Sequence, residues 1–207
     1  MRGIALLKTL LIALAQVAAL ATFAARADEI EVREARLAPT EDGIVLDADF
    51  TFEFSPRLAE VVANGVPLYF VVEFELTRPR WWWFDDKAAA KRLQQRLSYH
   101  ALSRQYRLST GLLQQNFATL EEAVNVLRRV RGWLVVERTA TLAEAPYEAA
   151  VRMRLDVTLL PKPFQLSALT SRELTLESPW LRFNFRPPTP PPAPVESREP
   201  AREAESK

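Results

Sequence analysis

Apolar and polar residues alternate over long stretches of this chain. Leu46, Ala48, Phe50, Phe52 and Phe54 fall on one side of an extended segment, with Asp47, Asp49, Thr51 and Glu53 on the other. That is the period of a half-buried strand. The same period predicts strands through Leu68, Phe70, Val72, Phe74 and Leu76, and through Val151, Met153, Leu155, Val157 and Leu159 with Arg152, Arg154 and Asp156 outward. Shorter runs add strands at Ile30 to Leu37, at Arg104 to Ser109, and at Leu174 to Phe185 with a break near Ser178-Pro179. One wet face per strand is the habit of antiparallel sheets.

Two short helices interrupt the strands. Ser55 caps a helix that opens on Pro56, buries Leu58, Val61 and Val62, and stops at Asn64-Gly65. Thr119 and Glu122 have the spacing of a capping box ahead of Leu120, Ala123, Val124 and Leu127, a stripe that continues to Val130 and ends by Gly132. Each helix leads into an apolar extended run, Val66 to Leu76 and Trp133 to Leu142. Between them, Asp86 to Ala101 satisfies two patterns. Ala88-Ala89-Ala90 and Lys91-Arg92 favour helix, while Tyr99 and Tyr106-Arg107-Leu108 favour strand, so a helical turn running into a strand is expected. The order strand, strand, helix, strand occurs from Ile30 to Leu76 and again from Leu93 to Leu142, a weak internal symmetry without residue identity. The fold class is mainly β: antiparallel sheets of about eight or nine strands, sandwich-like or α+β, with two short helices.

The two ends of the chain depart from this pattern. Arg2 and Lys8 precede an apolar run from Leu10 to Phe23, and Ala25-Arg26-Ala27 has the small-x-small form of a signal peptidase site, so residues 1–27 read as a signal peptide. The run is short of the roughly 20 residues that span a bilayer as a helix, which makes an uncleaved anchor the second choice. Residues 186–207 hold seven of the 15 prolines with balanced charge and little to bury, and are expected to be a disordered, partly polyproline II tail. Asp28 to Phe185 remains as a single antiparallel β-rich domain, long enough for a sizeable core.

Charge narrows the function. The 27 basic residues fall to 24 without the leader, against 26 acidic ones, which argues against nucleic acid as a partner. The absence of Cys removes disulfides and thiolate chemistry. His100 is the only histidine, so a multi-histidine metal site is excluded. Ser98 and Ser103 lie near it without a Gly-x-Ser-x-Gly elbow. The pairs Glu73/Glu75 and Asp47/Asp49 each share a strand face and read as solvated faces rather than acid/base dyads. No cofactor, metal or catalytic residue is assigned, and the reading is non-enzymatic.

The unusual stretch is Arg78-Pro79-Arg80-Trp81-Trp82-Trp83-Phe84-Asp85-Asp86. Three consecutive Trp cannot all face one core from a strand. From Arg78 to Arg107 there are eight basic residues against Asp85 and Asp86. Arg78, Arg80, Trp81, Trp82, Trp83, Arg104 and Arg107 are therefore the candidate partner-binding residues, suited to an envelope protein or an anionic ligand, with peripheral contact to a bilayer as a further option. The plainer reading is that the indoles plug one end of the sheet under arginine.

Gly65-Val66-Pro67-Leu68, Arg78-x-Arg80-Trp81-Trp82-Trp83-x-Asp85, Leu97-Ser98-Tyr99-His100-Ala101-Leu102-Ser103-Arg104-Gln105-Tyr106 and Val151-Arg152-x-Arg154-Leu155-Asp156, with Leu160-Pro161 and Trp180, resemble the proteobacterial family known as domain of unknown function 4390, also labelled proline-rich signal peptide protein. The resemblance covers roughly Ile30 to Phe185. It implies an exported, periplasmic protein of Gram-negative bacteria, and association with a two-component sensor kinase by gene neighbourhood alone. It carries over no catalytic or ligand residues.

Overall fold

A computed structural model describes residues 29–79, 86–140, 142–170, 174 and 176–187. The predicted leader and all but the first two residues of the proline-rich segment lie outside these.

Strands β1 (Glu31–Thr40) and β2 (Gly43–Thr51) form a hairpin, and β7 (Arg129–Glu137) pairs with the other edge of β2. A second sheet has the order β6-β5-β4-β3-β8-β9, from β3 (Leu68–Arg78), β4 (Asp86–His100), β5 (Gln105–Thr110), β6 (Leu113–Phe117), β8 (Tyr147–Leu155) and β9 (Leu181–Phe185). All pairings are antiparallel. The protein is thus mainly β, with two antiparallel sheets and nine named strands among the described residues, as the alternation predicts.

Helix α1 (Pro56–Ala63) begins where the Ser55 hydroxyl accepts the Leu58 N–H at 3.2 Å, and it buries Leu58, Val61 and Val62. Helix α2 (Leu120–Leu127) has the reciprocal capping box of Thr119 and Glu122, and buries Ala123, Val124 and Leu127. Each helix carries the chain from one sheet to the other, α1 from β2 to β3 and α2 from β6 to β7. The three-stranded sheet packs on the larger one through β1 on β8 and β9 and through β7 on β4, and the helices share the same core, α1 on β4 and α2 on β5 and β6. Leu68, Phe70, Val72, Phe74 and Leu76 of β3 share one core with Ile44, Leu46, Ala48 and Phe50 of β2. The Phe52 and Phe70 rings stack at 5.8 Å. The order strand, strand, helix, strand holds for β1-β2-α1-β3, but from Leu93 the chain runs β4-β5-β6-α2-β7 with three strands before the helix, so only the later part, β5-β6-α2-β7, repeats the order. The pairing is not repeated, because the inner strand of the first hairpin is its second and that of the other is its first.

The structure departs from the expected pattern in five places. Residues 86–100 are strand throughout, because β4 pairs residue by residue with the apolar β3 from Leu68↔Leu97 to Arg78↔Asp86, and this pairing overrides the helix preference of the alanines. The strand through Val151 ends at Leu155. There the Asp156 carboxylate accepts from Thr158 N–H and Oγ1 at 3.2 and 2.6 Å, and Val157–Leu159 close into a 3₁₀ turn. A third helix, α3 (Lys162–Thr170), follows unannounced. The stripe assigned to α2 stops at Leu127, with Val130 already in β7. Gly132 sits at an irregularity of the β2–β7 pairing with φ 60°, a conformation that glycine adopts without a Cβ clash. Of the strand expected from Leu174 to Phe185, β9 covers Leu181–Phe185, and upstream of it, among the described residues, Glu177 alone pairs, as a single bridge to Arg154.

Candidate functional site

Strand β3 organises the outer face of the six-stranded sheet. Its period sends Tyr69, Val71, Glu73, Glu75 and Thr77 outward, and the register places Arg92 of β4 and Arg152 of β8 on either side of Glu73. The Arg152 Nε and terminal nitrogen both reach Glu73 Oε2 at 2.6 Å, and Arg92 Nε lies 3.0 Å from Oε1. Arg154 stands 3.7 Å from the same oxygen and 3.6 Å from Asp156. Glu73 is only 5 % exposed, so the solvated face expected for it is instead a carboxylate sunk beneath three guanidinium groups. A charge at that depth is tolerable only when paired. Arg152 also donates to Glu177 at 2.7 Å and lies 4.6 Å from the Trp180 ring centre. Glu75 takes Lys87 at 2.8 Å, and Glu148 takes Arg182.

Farther along the same face, past Asp156 opposite Tyr69, the outward positions of β4, β5 and β6 carry no carboxylate. Arg96 of β4 stands opposite Tyr69 on one side and Ser109 on the other, its guanidinium 5.9 Å from the Tyr69 ring centre. Arg107 of β5 stands opposite Ser98 and Asn116, and its Nε donates to Asn116 Oδ1 at 3.1 Å. Neither arginine has a carboxylate partner among the described residues. Gln94, Ser98, Ser109 and Gln114 supply neutral polar groups around them. Two permanent cations with amide and hydroxyl neighbours suit phosphate or carboxylate oxygens.

The predicted site residues are divided by this geometry. Arg107 belongs to the carboxylate-free corner. Arg104 is next to it in the β4–β5 turn, exposed and with φ 53°. Arg78 is at the opposite end of β4, paired with Asp86 Oδ2 at 2.9 Å. Fourteen strand steps of about 3.3 Å separate Asp86 from His100, so the two ends are about 45 Å apart and the basic run is drawn out along one strand. Arg80, Trp81, Trp82 and Trp83 lie outside the described residues. Arg96 gained its place only through register, Glu73 was legible as one of a same-face carboxylate pair but not as buried, and Trp180 was legible as part of the family resemblance but not as a neighbour of Arg152.

Other ionisable groups have local duties. His100 is exposed, and its Nδ1 faces the Ser103 N–H at 3.3 Å and Oγ at 3.1 Å, so that nitrogen accepts within the turn. The Gly132 N–H donates to Asp47 at 2.8 Å and, together with Arg36, holds that carboxyl below its ordinary value; Lys91 does the same for Glu137 at 2.9 Å. No group of three or more metal-ligating side chains gathers among the described residues. No described helix is long and apolar enough to cross a membrane.

A family model described as domain of unknown function DUF4390 matches residues 27–184. The chain belongs to the DUF4390 family. The DUF4390 match spans β1 to the penultimate residue of β9, and therefore both parts of the outer face. No curated protein and no solved structure matches the chain.

Proposed function

We propose that this DUF4390 protein is an exported, periplasmic and non-enzymatic binding or accessory protein that holds an anionic partner on the corner formed by Arg96 and Arg107. The observation that carries the reading is the contrast within one sheet face: guanidinium groups around Glu73 are paired with carboxylates, whereas among the described residues Arg96 and Arg107 meet only an aromatic ring and an amide. An uncompensated cation pair draws an acidic protein surface by long-range attraction and fixes it by charge-assisted hydrogen bonds. The signal-like leader supplies the address, and the polar surroundings favour an acidic envelope protein as partner.

A second reading rests on Leu112 and Leu113. Leu112 is fully exposed and Leu113 is 73 % exposed at the β5–β6 turn. An apolar tip beside basic strands suits the surface of an anionic bilayer. Affinity capture from envelope extract, run beside sedimentation with vesicles of phosphatidylcholine alone and with added phosphatidylglycerol, separates the two. Capture of an acidic protein that is lost in Arg96→Ala/Arg107→Ala supports the first. Salt-sensitive sedimentation with the anionic vesicles, lost in Leu112→Ser/Leu113→Ser, supports the second. Equal capture by wild type and the arginine variant overturns the proposed surface.

A further inference from the structure

A cleft of about 530 Å³ opens where the start of β1 and the end of β2 meet the Pro179-Trp180-Leu181 segment. Its apolar wall includes Ile30, Val32, Phe52 and Trp180. Ile30 and Phe52 are rooted in the core, and the Ile30 N–H reaches the Glu177 carbonyl at 3.4 Å, so the wall is anchored to both sheets. Trp180 is held from behind by Arg152, which belongs to the Glu73 network. The cleft falls within the range of about 300–1,000 Å³ typical of small-ligand sites.

The charged lining is of one sign. Glu29, Glu31 and Glu53 border the cleft, all are exposed, and none has an ion pair or a side-chain hydrogen bond among the described residues. They do not gather closely enough to hold a metal ion. Spread negative charge over an apolar, aromatic wall calls for spread positive charge on an apolar body. We propose that this cleft binds an organic cation, with ammonium or guanidinium groups answering the glutamates and an aliphatic or aromatic body lying against Phe52 and Trp180. The proposal is independent of the Arg96/Arg107 surface.

The shared chemistry has two sources, a free polyamine or the basic side chains of a short peptide, so the titration uses both spermidine and an end-capped Lys-Leu-Lys tripeptide. Isothermal titration at low ionic strength compares wild type with Glu31→Gln/Glu53→Gln, which keeps shape and removes two charges from exposed positions. Saturable binding of either probe is expected, weakened about tenfold in the double variant, as the loss of two partly solvated charge pairs implies. It should be unchanged in Arg96→Ala/Arg107→Ala. Preference for spermidine identifies a polyamine source, and preference for the tripeptide a peptide source. Absence of saturation with both probes, or equal affinity in wild type and the glutamine variant, overturns the proposal.

Discussion

The Glu73 network and the Arg96/Arg107 corner share one sheet face and one residue type, yet their arginines do different work. Around Glu73, Arg152 is held from three sides, by the carboxylate at 2.6 Å, by Glu177 at 2.7 Å and by the Trp180 ring. At the corner, Arg96 and Arg107 have no carboxylate partner among the described residues. A one-residue slip of β3 would turn Glu73 into the core, so the network marks the register of β4, β3 and β8. Its Coulomb attraction is offset by desolvation, and its contribution is best seen when one member is removed. The corner shows no such pairing among the described residues, and that difference is what the proposed binding role rests on.

The largest effect that would test this contrast is on stability. Glu73→Ala leaves Arg92, Arg152 and Arg154 facing one another, and a loss of about 2–3 kcal/mol is expected in urea denaturation, the low end for a broken buried pair because the arginines retain some solvent access. A loss no larger than that of Arg96→Ala would erase the distinction. Arg96→Ala/Arg107→Ala should instead change stability by less than about 0.5 kcal/mol while weakening partner capture about tenfold, or about 1.4 kcal/mol. Matched denaturation and binding curves read both quantities.

The helix beneath the corner offers a finer probe. Thr119→Ala removes the acceptor of the Glu122 N–H and should cost about 1 kcal/mol. Because α2 packs on β5 and β6, amide exchange should quicken there before it does in β3 and β8. Uniform quickening would mean that the two parts of the face do not open separately.

The smallest effect concerns acid. Asp47 has its carboxyl lowered by the Gly132 N–H first and by Arg36 as well. A folded-state value below the unfolded one of about 3.9 stabilises the protein above that pH, and the contribution is lost as pH falls through the lowered value. Denaturation midpoints followed from about pH 5 to 2.5 should therefore fall less steeply in Asp47→Asn than in wild type. Parallel curves would remove Asp47 from the acid response.

Much of the fold was legible because its signals are local. Alternation on β2, β3 and β8 reports which side is buried, and the Ser55-Pro56 and Thr119/Glu122 caps report where backbone N–H groups need a side-chain oxygen. The site was less legible. Arg78 to Arg107 reads as one basic cluster along the chain, but an extended backbone pulls sequence neighbours apart by about 3.3 Å per residue. Arg107 is at the carboxylate-free corner, while Arg78 is engaged with Asp86 at the other end of β4. Glu73 read as a solvated carboxylate because its partner Arg152 is 79 residues away.

By itself, the sequence determined the family, the mainly β class, the faces of the strands and the two capped helices, since each depends on residues a few positions apart. Tertiary structure decided that Ala88 to Ala90 are strand, that Gly132 serves a strand irregularity rather than a helix end, and which arginines are neutralised. Those outcomes depend on cross-strand register. Register is a property of two or three strands together, and no single segment of the chain contains it.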